Sequence, residues 1–136
     1  MIDLAELREL LRNMESDRVE RTVSTNDTEK FCKAICAFAN DMSGSGLPGY
    51  LILGAKDDGK VVGISVTDEL LQKLSNYADS GQIVPLPSVS VRKFSLQEGD
   101  VAVVEVLPSD IPPVRYRGCV WIRRGPRQAI ANEQEE

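Results

Sequence analysis

The spacing of hydrophobic and polar residues predicts three helices. They cover residues 3–13, residues 28–40 and residues 67–78, because apolar side chains recur three or four positions apart in each stretch. Asp3 and Glu6 form a capping pair at the start of the first helix. The second helix is apolar around almost its whole circumference, which is typical of a buried helix.

Runs of aliphatic residues predict the strands. Residues 50–55 form a continuous apolar run, which favours a central strand, and the Asp-Gly turn after it predicts a hairpin in which residues 61–64 return. Further strands are predicted at 18–23 (an edge strand), 89–94, 101–106, 114–117 and 119–123. The predicted fold class is α+β, a single domain in which a mixed or antiparallel sheet of about five to six strands is packed by two to three helices.

Composition excludes several classes of protein. The chain has 136 residues and no histidine, so it suits one domain and cannot contain a Ser-His-Asp triad, a Cys-His nucleophile or a histidine zinc site. No apolar run approaches the length of a membrane span, so no membrane association is predicted. The three cysteines lack metal-binding spacing, which predicts buried thiols in a reduced, cytoplasmic protein.

Charge is distributed unevenly along the chain. The net charge is −5, but residues 111–131 contain five arginines and no acidic residue, so this segment carries +5 and the remainder −10. The arginines are Arg115, Arg117, Arg123, Arg124 and Arg127. They predict a phosphate-binding surface in which Arg115 and Arg117 share one face of a strand and Tyr116 or Trp121 stacks on a base. Alternatively, the arginines pair with the domain's own carboxylates or lie in water, and the residues alone favour this second interpretation.

Acidic residues near predicted strand ends indicate a second kind of site. Glu15 and Glu20 flank the start of the first strand, and Asp57 follows the central strand. Clustered carboxylates could hold Mg²⁺ or Mn²⁺, and such a metal activates water against a phosphodiester without histidine. Spacing alone favours the alternative, in which the glutamates are surface charges and the Asp-Asp-Gly segment is only a turn.

Four segments of the chain carry a family resemblance. They are Glu-Ser-Asp-Arg-Val-Glu at 15–20, Ile-Cys-Ala-Phe-Ala-Asn at 35–40, Gly-Tyr-Leu-Ile-Leu-Gly-Ala-Lys-Asp-Asp-Gly at 49–59 with Val-Gly at 62–63, and Pro-Val at 113–114 followed by Gly-Cys-Val-Trp-Ile-Arg-Arg-Gly at 118–125. In this order they resemble the Schlafen/AlbA-type DNA-binding domain, which stands at the N-terminus of bacterial divergent AAA proteins and transcriptional regulators. The resemblance covers about residues 15–131.

The resemblance implies a division of the chain and a set of partners. Residues 1–14 form an N-terminal helix, residues 15–131 form the Schlafen/AlbA-like domain, and residues 132–136 form a polar tail that begins a linker to a missing C-terminal region. That region would contain an ATP-binding module. The implied partner is nucleic acid, either DNA or RNA. In some animal relatives the fold is a metal-dependent endoribonuclease, and the matching catalytic and metal-binding positions are Glu15, Glu20 and Asp57.

Three functions follow from these observations. The favoured one is a nucleic-acid-binding domain of a transcriptional regulator or helicase-like protein. On this hypothesis the domain alone is not an enzyme, and the sequence indicates no particular cofactor for it. The second is a nuclease that uses Mg²⁺ or Mn²⁺. The third is a non-enzymatic assembly domain, in which the proline-rich edge at 111–114 or the strand at 114–117 forms a homodimer.

Overall fold

The computed structural model describes residues 2–12, 18–132 and 134–136. Within this part of the chain there are three helices, α1 (Leu4–Arg12), α2 (Thr28–Asn40) and α3 (Asp68–Asp79). The strands in the same residues are β1 (Val19–Thr22), β2 (Gly49–Leu53), β3 (Ile83–Val84), β4 (Val89–Leu96), β5 (Gly99–Val106), β6 (Arg115–Tyr116), β7 (Trp121–Arg124) and β8 (Arg127–Ile130). The α+β class is confirmed. None of these helices is long and apolar enough to cross a membrane.

The strands divide among three ladders rather than one sheet of five to six strands. The main sheet has four strands in the order β1-β2-β5-β4, with β1 parallel to β2 and the other pairs antiparallel. The remaining strands form the two-stranded ladders β3-β6 and β7-β8. Prolines fill the connectors between the main sheet and β3-β6, and a proline has no N–H to extend a ladder. They are Pro85, Pro87, Pro108, Pro112 and Pro113.

The predicted hairpin after the central strand forms its turn, where the Lys56 N–H donates to the Lys60 carbonyl at 2.9 Å, but not its return strand. Residues 61–64 make only an isolated bridge, between Ala55 and Val61. The N–H groups of Val62 and Gly63 both donate to the Gly54 carbonyl, at 2.9 and 3.1 Å, and the Ile64 N–H donates to the Asp100 carbonyl of β5 at 2.9 Å, so these residues form no ladder with β2. The hairpin β7-β8 replaces it near the C-terminus, where the Arg-Gln-Ala-Ile sequence of β8 shows no hydrophobic alternation that could have predicted a strand.

The two faces of the main sheet are covered by different helices. Alternation along β2 and β5 directs one set of side chains toward α2 and α3 and the other set toward α1. The buried residues of α2 lie close to the sheet, since a Cβ added at Gly49 would lie 2.2 Å from the Phe38 ring. Only glycine therefore allows β2 to begin beneath this helix.

Helix α1 is fixed over the second face by a buried arginine. Asp3 caps the helix by accepting the Glu6 N–H at 2.8 Å, as its sequence predicts. Leu7 and Leu11 are buried against the sheet. Arg21 of β1 is fully buried, and it donates to the backbone carbonyl of Leu10 at 2.6 Å and to that of Asp57 at 2.8 Å. Arg21 therefore joins α1, β1 and the turn after β2.

The three thiols lie in two environments. Cys32 and Cys36 are buried in α2, and desolvation raises the pKa of each to about 11. Cys119 is exposed at the end of a tight turn. The predicted burial is confirmed for the first two thiols and wrong for Cys119. Because their pKa is raised from 9.0, the stability gained by burying Cys32 and Cys36 as neutral thiols is present below pH 9 and is lost as the pH rises through about 11.

We expect one thiol of the folded protein to react rapidly with DTNB at neutral pH, and all three to react after unfolding in guanidinium. The thiolate is the reactive species, and burial disfavours it at Cys32 and Cys36. Cys119→Ser should abolish the rapid phase. Rapid reaction of two or more thiols in the folded protein would contradict the burial of α2.

Candidate nucleic-acid interface

One of the five C-terminal arginines forms a buried ion pair. Glu20 on β1 and Arg123 on β7 are 8% and 5% exposed, and Nη1 of Arg123 donates to Oε2 of Glu20. Nη2 of Arg123 donates to the backbone carbonyl of Val19 at 2.9 Å, and its guanidinium lies 5.2 Å from the Phe38 ring centroid. In this arrangement these donors face the protein interior, and the contact of Arg123 with phosphate stays a prediction.

The same ion pair engages the carboxylate that the sequence placed in a metal site. Oε1 of Glu20 lies 3.7 Å from Nζ of Lys30, and Oε2 also accepts from Gln128 at 3.4 Å. The positive charges of Arg123 and Lys30 thus already balance the negative charge of Glu20 that a divalent metal would need. A metal would fit Glu20 only if Arg123 moved away.

Of the other two predicted metal ligands, the structure describes one. Asp57 is exposed in the turn after β2, and Glu15 lies outside the described residues. Across the described ranges, no group of three or more acidic or cysteine side chains could hold a metal ion. The three-carboxylate site remains a prediction.

Tyr116 and Arg117 are held by Glu29 of α2. The Tyr116 side chain is 2% exposed, and its hydroxyl donates to Oε1 of Glu29 at 2.9 Å. Burial and this hydrogen bond raise the pKa of Tyr116 to about 12. The buried Tyr116 ring has no exposed face in this arrangement, and its stacking on a base stays a prediction. Arg117 donates to the same Glu29 oxygen at 3.0 Å.

Arg115 and Arg117 do not share a strand face as predicted. Strand β6 ends at Tyr116, and Arg117 and Gly118 have φ angles of +51° and +82°. These positive values close the chain into the tight turn between Tyr116 and Cys119. Arg115 instead reaches Glu136, which accepts from its Nη2 at 3.1 Å.

Arg124 and Arg127 lie opposite each other at the end of the β7-β8 hairpin. Arg124 pairs with Glu135, and their hydrogen bond raises the pKa of Arg124 and lowers the pKa of Glu135. Arg127 is exposed and makes no ion pair with any residue that the structure describes. Trp121 is half-buried, with Nζ of Lys33 lying 4.5 Å from its ring centroid.

Asn40, which the sequence analysis did not single out as a site residue, holds the arginine segment on α2. Its Nδ2 donates to the carbonyls of Val114 and Trp121 at 2.9 and 2.7 Å, and its Oδ1 accepts the Val114 N–H at 2.6 Å. These bonds fix the starts of β6 and β7. The sequence signal for Asn40 is its position at the end of the 35–40 segment that carries the family resemblance. That signal does not identify its hydrogen-bond partners, which lie more than seventy residues away in the sequence.

Most of the predicted basic surface is therefore neutralised by glutamates within the chain. Arg115, Arg117, Arg123 and Arg124 all pair with a glutamate. The interpretation that these arginines pair with the domain's own carboxylates holds for four of the five. Three of the pairs are exposed to water, and only the Arg123 pair is buried. The exposed pairs are the ones that solvent weakens and a phosphate could replace.

The fold and this basic segment define a small α+β domain in which a mixed sheet has helices on both faces. The family described as Schlafen, AlbA_2 matches residues 15–132, so the chain belongs to the Schlafen/AlbA_2 family. The predicted family is confirmed. No curated protein matches the chain.

Two solved structures share this fold. The N-terminal domain of a RecG-related, helicase-like protein from Nitrosomonas europaea superposes with a TM-score of 0.61 at 23% identity, over 81% of this chain and 76% of that one. The DIP2311 protein from Corynebacterium diphtheriae superposes with a TM-score of 0.60 at 16% identity, over 94% of this chain. This chain spans 29% of the second structure.

Proposed function

We propose that this domain binds nucleic acid through a basic surface formed by Arg115, Arg124 and Arg127. The observation that carries the proposal is their juxtaposition. Arg115 and Arg124 reach the adjacent residues Glu136 and Glu135, and Arg127 is directly opposite Arg124 in the β7-β8 ladder. Arg115 and Arg124 therefore reach the same short stretch of chain, Arg127 lies on the strand beside Arg124, and each arginine offers the planar donor fork that suits phosphate.

The accessibility of these arginines supports the same surface. The side chains of Arg115 and Arg124 are 43% and 45% exposed despite their ion pairs. Exposed pairs of this kind contribute little stability, so exchanging a glutamate for a phosphate carries a small cost. Membership of the Schlafen/AlbA_2 family and the fold shared with a helicase-related N-terminal domain also support a nucleic-acid-related role.

The test is a salt titration of binding to fluorescein-labelled duplex DNA and structured RNA, followed by fluorescence anisotropy. Each phosphate neutralised on duplex DNA contributes about 0.9 to the slope of log K against log salt. The variant R115Q/R124Q/R127Q should bind more weakly than the parent and lower the magnitude of that slope by about 2 to 3.

The matched control is R8Q/R12Q/R92Q, which removes the same charge from α1 and β4. It should leave the slope within about 1 of the parent value, because those arginines lie outside the proposed surface. Equal losses of affinity in both triple variants would mean that binding depends only on the net charge of the domain, and the surface assignment would fail. If the parent binds neither nucleic acid at low salt, the proposed function is wrong.

Finer aspects of the function belong to the same proposal. A role as the N-terminal module of a transcriptional regulator or helicase-like protein is supported by the family and by the helicase-related neighbour. The nuclease, the homodimer and stacking by Trp121 stay predictions.

A further inference from the structure

The C-terminal tail folds back over the hairpin that carries the proposed surface. Ala131 is buried with Val120 and Ile122, and its N–H donates to the Val120 carbonyl at 2.8 Å. Beyond it, Asn132 forms a compact turn in which its N–H donates to Oε1 of Glu135 at 2.9 Å and its Oδ1 accepts the Glu135 N–H at 3.0 Å. The turn holds Glu135 and Glu136 beside the hairpin.

These two glutamates, here called the acidic tail, contact two of the three arginines proposed to bind phosphate. Glu135 accepts from Nε and Nη2 of Arg124, so the carboxylate engages the guanidinium through two donors, as a phosphate would. Glu136 accepts from Arg115 at 3.1 Å. Arg127 is exposed to solvent on the same hairpin.

We infer that the acidic tail is an intramolecular competitor that covers the proposed nucleic-acid surface and is displaced when nucleic acid binds. This inference rests on the proposed function. The tethered glutamates are always near their arginines, which favours the closed arrangement at low ligand concentration. The pairs are solvent-exposed and therefore weak enough to release.

The first test compares E135Q/E136Q with the parent in the same anisotropy assay on labelled duplex DNA. Without its charged competitor, the surface should bind roughly three- to tenfold more tightly at low salt. The control E9Q/E98Q removes two other exposed glutamate–arginine pairs, with Arg12 and Arg8, and changes the net charge equally. Its affinity should rise by less than about twofold.

The second test follows the Asn132 amide by NMR, because that N–H donates to Glu135 in the closed arrangement. Adding unlabelled duplex to the parent should move this resonance toward its position in E135Q/E136Q.

The outcomes separate this inference from the function on which it rests. If the parent binds but E135Q/E136Q gains no more than the control, or the Asn132 resonance stays in place, then the tail is not a competitor although the domain binds nucleic acid. If neither the parent nor any variant binds, the proposed function fails and the competitor role fails with it.

Discussion

Replacing Glu20 with alanine is expected to lower the free energy of unfolding by about 3–5 kcal/mol. The substitution removes the Glu20 carboxylate from the Arg123 guanidinium, in a site where the Arg123 side chain is only 2% exposed. Its bond to the Val19 carbonyl and its position over Phe38 cannot replace that charge. Urea denaturation followed by circular dichroism measures the loss.

The double variant E20L/R123M separates the buried charge from the packing. Two apolar side chains of similar volume remove both charges together, and such replacements of a buried pair are often neutral. The free energy of unfolding of the double variant should therefore lie within about 2 kcal/mol of the parent value and well above that of E20A. If E20L/R123M is no more stable than E20A, the loss comes from packing and not from the loss of the ion pair between Glu20 and Arg123.

This expectation changes how a nuclease test on this chain must be designed. Loss of cleavage in E20A would be ambiguous, because the variant should also lose stability. Asp57→Asn is the cleaner substitution, because Asp57 is exposed and the Arg21 bond goes to its backbone carbonyl, which the substitution keeps. Activity lost in D57N at unchanged stability would be evidence for the metal site that the family resemblance implies.

Local signals explain which elements could be predicted from the sequence. The residues 28–40 predicted for the second helix match α2 because Asp27 caps its first turn and Asp41 adopts the left-handed conformation after its end. Thr67 caps α3 in the same way. The strand predicted at 61–64 is wrong, because an Asp-Gly sequence indicates a turn but does not determine what the chain does after it. The bonds of Val62 and Gly63 to Gly54 depend on the three-dimensional context of these residues.

The candidate site was less predictable because its arginines differ only in their surroundings. Arg123 and Arg124 are neighbours in sequence, yet alternation along β7 directs the first to buried Glu20 and the second to half-buried Glu135. The sequence contains both arginines and both glutamates, but not the register that pairs them. That register depends on the packing of β7 against α2, and Asn40 helps to fix it.

Asn40→Ala should lower the free energy of unfolding by about 2–4 kcal/mol. It removes three hydrogen bonds to the backbone at once and leaves the Val114 N–H and the carbonyls of Val114 and Trp121 without this partner. Buried backbone groups that lose their partners are costly. Because the lost bonds anchor β6 and β7, the variant should also weaken nucleic-acid binding. Guanidinium denaturation and the anisotropy assay measure the two effects.

Two further variants identify the lost bonds as the cause. Asn76→Ala is the matched control, because this asparagine is exposed and its side chain accepts a hydrogen bond from the Gln72 side chain, and the substitution should cost less than about 1 kcal/mol. Asn40→Asp keeps the acceptor for the Val114 N–H but sets a carboxylate against two carbonyl oxygens that Nδ2 contacts in the parent. That repulsion raises the pKa of the introduced carboxyl above its unfolded value, so the N40D variant should recover stability relative to the parent as the pH falls and the carboxyl gains a proton that it can donate. A deficit in N40D that is the same at every pH would show that Asn40 acts through its volume. A deficit that shrinks with falling pH would show that its donated hydrogen bonds hold the C-terminal segment in place.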